Sequence, residues 1–73
     1  MNTREVKFTV KVRNDSGFTT TLTVEPWGDQ APLEAGGVVN LACSGPEGGL
    51  VEVVVEPGAI VVFGWPGSLI EVV

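Results

Sequence analysis

The side chains able to do chemistry in this chain are carboxylates and indoles, because histidine and tyrosine are absent and cysteine occurs once, at Cys43. No Ser/His/Asp or Cys/His triad can be assembled, and no side chain has an ordinary pKa near neutrality. Acid–base work would fall to carboxylates. Glu25 and Glu56 stand out because each is the third residue of a near-identical stretch, TVEPWG at 23–28 and VVEPGA at 54–59. Paired carboxylates at a suitable separation are the glycosidase arrangement. Such an enzyme needs a cleft for which a small domain has little room, and a glutamate ahead of proline also reads as a solvated strand end. No catalytic residue is therefore assigned, and the chain is expected not to be an enzyme.

Asp15, Glu25 and Asp29 are a conceivable oxygen set for calcium, but their spacing matches no calcium loop. Zinc lacks histidine and a second cysteine, so no metal or other cofactor is expected. Cys43 ends the apolar run VVNLAC with no base close in sequence, and reads as a buried small hydrophobe rather than a reactive thiolate. The Gly36–Gly37 and Gly48–Gly49 pairs lack the helix and lysine of a phosphate loop and read as turns.

The tryptophans are the sharper signal. In EPGA, Pro57 and Gly58 suit the two central positions of a type II turn. In EPWG, Trp27 serves a turn poorly, and a type I turn with Gly28 at its last position fits better. Trp27 is therefore placed for what its indole touches. Together with Trp65, Glu25 and Asp29 it forms the candidate contact set, either capping the open end of a core or meeting a neighbouring subunit or a ligand such as a sugar ring or a cation. Strand parity decides whether the indoles meet: a strand at 29–33 puts them at one end, a loop there at opposite ends.

The elements that must position these residues are strands. Val6, Phe8, Val10 and Val12 alternate with Lys7, Thr9, Lys11 and Arg13; after the turn formers Asn14 to Gly17, Phe18, Thr20, Leu22 and Val24 alternate in the same way. This reads as a β-hairpin whose second strand stops at about Glu25, before Pro26. Residues 29–33 contain Pro32 and make an edge strand at best. Further strands are expected at 38–43, 50–56, 59–64 and 68–73. With no helical periodicity, the expected fold is one all-β domain over 1–73, a small antiparallel β-sandwich or jelly-roll-like barrel of six to seven short strands.

A shift of 31 places aligns Gly17 with Gly48, Leu22 with Val53, Val24 with Val55, Glu25 with Glu56 and Pro26 with Pro57. The match suggests two hairpin-like halves stacked face to face. Residues 14–37, NDSGFTTTLTVEPWGDQAPLEAGG, resemble short uncharacterised bacterial β-proteins with an asparagine-led turn, an EPWG-like strand end and a later proline-glycine turn, where this chain has Ala35, Gly36 and Gly37. The resemblance implies a bacterial source and no activity.

At 73 residues the chain is near the size where one core barely offsets the entropy lost on folding. Disulfides and zinc are excluded as staples, which leaves close packing or oligomerisation. Hydrophobic residues make up 44% of the chain. The runs VVV at 53–55 and IVVF at 60–63 are apolar on both faces, as in strands covered twice. A homo-oligomer, dimer or trimer, is expected, with Val54, Val61, Phe63 and Leu69 as interface candidates; a different protein partner is the other expectation.

All four bases, Arg4, Lys7, Lys11 and Arg13, precede residue 14, so the charge is +3 there and -8 beyond. A net charge of -5 disfavours nucleic acid. The basic strand is expected to pair with acidic strands within the sheet or across a subunit boundary. No apolar run has the length to span a bilayer, and MNTREVKF lacks the apolar stretch of a signal peptide, so no membrane partner is expected. The chain reads as cytoplasmic, although a virion protein would look the same.

Overall fold

The computed structural model describes residues 4–73. Seven strands follow in order: β1 (Glu5–Arg13), β2 (Thr20–Glu25), β3 (Asp29–Leu33), β4 (Val38–Pro46), β5 (Glu52–Glu56), β6 (Ala59–Phe63) and β7 (Leu69–Val72). They make two sheets, β1-β4-β7 and β3-β2-β6-β5. The expected all-β class and strand number are borne out, and of the two architectures offered the sandwich is the one formed. All pairs are antiparallel except β2–β6, which is parallel.

The period of two seen in the sequence becomes an inner and an outer face. Leu22 and Val24 of β2, Ile60 and Val62 of β6, Leu41 and Cys43 of β4, and Ile70 of β7 meet between the sheets, joined by Trp65. Each such aliphatic side chain contributes roughly 1.5–3 kcal/mol by leaving water. Thr21 and Thr23 on β2, and Glu52 and Glu56 on β5, take the opposite parity and face outward.

The strand directions sort the loops into two ends. The β1–β2, β3–β4 and β5–β6 connections share one end, and the β2–β3, β4–β5 and β6–β7 connections the other.

Two expectations are corrected. β1 and β2 do not pair as a hairpin: β1 pairs with β4, and β2 lies in the other sheet between β3 and β6. Asn14, 2% exposed, holds the corner where the chain leaves β1. Its Nδ2 donates to the carbonyls of Phe18 (2.7 Å), Leu33 (2.9 Å) and Glu34 (3.1 Å), and its Oδ1 accepts from Ser16 N (3.1 Å) and Ser16 Oγ (2.6 Å). Its own backbone donates to Gly37 and accepts from Gly36. The asparagine thus ties the β1–β2 corner to the end of β3 and the β3–β4 turn, sending the chain across to the second sheet.

The two Glu-Pro hairpins, β2–β3 and β5–β6, also do not stack face to face. They lie side by side in one sheet, joined along the parallel β2–β6 seam. Each has apolar residues on the side facing the other sheet, so one sheet can hold both. Gly58 has φ 76°, as the type II expectation requires at its position.

Residues 29–33 form an edge strand, as their proline suggested; β3 is terminal in its sheet. The basic strand β1 has no acid opposite it, because β4 from Val38 to Pro46 contains none.

Candidate functional site

With β3 a strand, both tryptophans fall at one end, as the parity argument required. A cleft of about 450 Å³ is lined there by Glu25, Trp27, Phe63, Trp65 and the Pro66–Ser68 turn. The β2–β3 turn carries Trp27 into it, and the β6–β7 turn carries Trp65.

The two indoles do different work. Trp65 is 8% exposed and belongs to the core cluster. Its ring stacks on Phe8 with centroids 5.8 Å apart and planes at 10°, and its Nε1 donates to the Pro46 carbonyl at 2.8 Å. Gly49 lies so close to the pyrrole that an added Cβ would overlap Cδ1, Cγ and Nε1. The Trp65 N–H is held by Ser68 Oγ at 2.9 Å. This indole closes the core, and its polar edge is satisfied.

Trp27 is 39% exposed. Its six-membered ring lies over Gly64, where an added Cβ would come 3.1 Å from Cη2. Much of the indole remains open to the cleft. Glu25 lies beside it, at the end of β2 and opposite Phe63. Asp29 starts β3 opposite Val24, outside the cleft lining.

The remaining expected sets are dispersed. Glu25 is opposite Phe63 and Glu56 opposite Ala59, at the two ends of β6, so the carboxylates do not face each other. Asp15 lies in the β1–β2 corner, at the far end from Glu25 and Asp29. Among the described residues no group of three or more Cys, Asp or Glu side chains is arranged to hold a metal. Cys43 is buried, and burial raises its thiol pKa above the ordinary 9.0. No described helix is long and apolar enough to cross a membrane.

No protein family, characterised protein or solved structure matches this chain.

Val54 and Val61 are register partners on the outer face of the four-stranded sheet, with Phe63 two residues along β6. Leu69 is exposed on the outer face of the other sheet, opposite Ser44. Three of the four interface candidates thus share a surface and the fourth does not.

Two further valines of β5 are exposed on its other face. Val53 and Val55 lie opposite Val62 and Ile60, so they point to the inner face, yet they are 46% and 76% exposed. The three-stranded sheet does not cover the rim of the four-stranded one. The VVV run hinted at this, but a strand-by-strand pattern does not reveal that one sheet is a strand narrower.

At the opposite end a second cleft, about 540 Å³, lies between the β1–β2 corner and the β5–β6 turn and is lined by Phe18, Val55, Ile60 and Pro57. It is the more apolar of the two clefts, and nothing in the sequence marked it.

Proposed function

We propose that this chain is a non-enzymatic, self-associating β-sandwich that serves as a structural or protein-interaction module, working in the cytoplasm without a cofactor. The supporting observation is β5, which is exposed along its whole length although its centre is Val53, Val54 and Val55. Apolar strands bare on both faces and along one edge are surfaces that association buries. Gel filtration with light scattering at micromolar concentration tests this: a dimer or trimer is expected, and a strict monomer would refute it.

A second reading, small-molecule or carbohydrate binding, draws on the cleft where Trp27 stays open beside Glu25 and Phe63. One face of one indole suits stacking on a sugar ring. Titration of Trp fluorescence with sugars and divalent cations tests it, with Trp27→Phe as the control; emission unchanged throughout counts against it. A carboxylate hydrolase finds no support in the positions of Glu25 and Glu56.

A further inference from the structure

We infer that self-association proceeds by pairing of the β1 edge of one copy with the β5 edge of another, parallel and with Thr9 opposite Val54. The inference rests on the self-association proposed above and names its surfaces and register.

Four strands end the two sheets: β1 and β7, β3 and β5. β3 carries Pro32, which cannot donate to a ladder, and β7 is four residues long. β1 and β5 are the two edges fit for extension. They carry opposite charge at equal spacing: Lys7 and Lys11 on one, Glu52 and Glu56 on the other. Like edges repel. An antiparallel β1–β1 pair centred on Thr9 sets Lys7 against Lys11, and an antiparallel β5–β5 pair centred on Val54 sets Glu52 against Glu56.

The backbone selects the direction of approach. Glu47 N–H donates to the Arg4 carbonyl and Asn14 N–H to that of Gly37. Even-numbered residues of β1 therefore turn their peptide groups toward β4, and Lys7, Thr9 and Lys11 turn theirs to the bare edge. On β6, the Gly58 carbonyl accepts from Thr21 and Gly64 N–H donates to Glu25. Even residues of β6 thus serve β2 and odd ones serve β5. With Val61 opposite Val54, the peptide groups of Val53 and Val55 are the ones that point outward from β5.

In a parallel ladder an outward residue bonds to the two neighbours of the residue opposite it, whereas in an antiparallel ladder outward residues lie directly opposite one another. A parallel approach seats Thr9 opposite Val54, bonding to Val53 and Val55. Lys7 then meets Glu52 and Lys11 meets Glu56 on the outer face, while Phe8 meets Val53 and Val10 meets Val55 on the inner face. An antiparallel approach would put Thr9 opposite Val53 or Val55, and the lysines would share a face with the valines. One register satisfies hydrogen bonds, charge and apolar contact together. The contact joins unlike edges, so it is heterologous and closes into a ring or dimer only where the rotation permits.

Charge exchange tests the register. K7E/K11E and E52K/E56K, each checked for folding by circular dichroism, are expected to weaken association at least about tenfold when alone. Mixed one to one they should reassociate, because each then offers the edge the other lacks; the quadruple variant should associate by itself. A wild type that is monomeric removes both this register and the proposed function. If the wild type associates and the separate variants do too, the register is wrong and self-association stands. Dissociated variants that fail to recover on mixing also overturn the pairing.

Discussion

The two ends of this sandwich are closed by opposite chemistry. At one end a buried amide, Asn14, gathers three carbonyls and two donors from Ser16; at the other a buried indole, Trp65, fills space against Phe8 and Gly49 and spends its single N–H on Pro46. Both join segments distant in sequence. The amide end depends on which atoms donate, and the indole end on volume and shape.

Substitutions that change one property and spare the other separate these roles. The largest effect is expected from Trp65→Ala, a loss of about 3–5 kcal/mol in denaturant unfolding. Trp65→Phe keeps a ring against Phe8 and should lose markedly less. Equal losses from the two would mean that the Pro46 hydrogen bond, rather than packing, holds this end.

Next comes Asn14→Ala, with an expected loss of about 2–3 kcal/mol as three carbonyls lose the amide they share, although Ser16 Oγ still reaches that of Phe18 and Gly37 N–H that of Glu34. Asn14→Asp preserves shape but replaces the donor with a carboxylate oxygen facing those carbonyls, and should be worse than alanine at neutral pH. An aspartate variant as stable as the wild type would break the contrast between the ends.

Cys43 reports on the dryness of the indole end, since it lies opposite Phe8 on β4. Burial raises its pKa, so the folded state favours the neutral thiol. Its contribution should be whole below the unfolded thiol's ordinary 9.0 and fall as pH rises from there through the higher folded value. A Cys43→Ala variant should lack that alkaline slope, and thiol labelling of the wild type should be slow until Trp65→Ala opens the end.

The smallest effect is expected at Trp27, where truncation to alanine should cost about 1–2 kcal/mol, less than at Trp65 because the ring is already 39% exposed. A loss matching that of Trp65→Ala would show that both indoles hold the core.

Much of the strand content was legible because alternation is a local signal. Leu22 and Val24 declare a buried face by spacing alone, and Pro32 marks an edge; IVVF at 60–63, apolar at every position, does not say which of its residues turn inward. Pairing was not legible. The turn formers after Arg13 suit a hairpin equally well, and the different outcome rests on Asn14 reaching the carbonyl of Leu33, 19 residues on. Turn propensity says nothing about such a partner. Similarly, Gly49 reads as loop punctuation, and only the placed Trp65 ring shows why a side chain is excluded there. The tryptophan end was readable as a conditional, since one strand decided it; the bare rim of β5 depended on comparing the widths of two sheets.

The parallel seam between β2 and β6 bears on how the chain reaches this state. Thr21 lies opposite Ala59, with about half the chain between them. The β2–β3 and β5–β6 hairpins each close over short loops, whereas the seam closes a loop that contains β4 in the other sheet and so costs more loop entropy. Without the seam, the edge of β6 that β2 covers would be as bare as the outer edge of β5. A β5–β6 hairpin without the seam thus bares both of its apolar edges, where the finished sheet leaves it one.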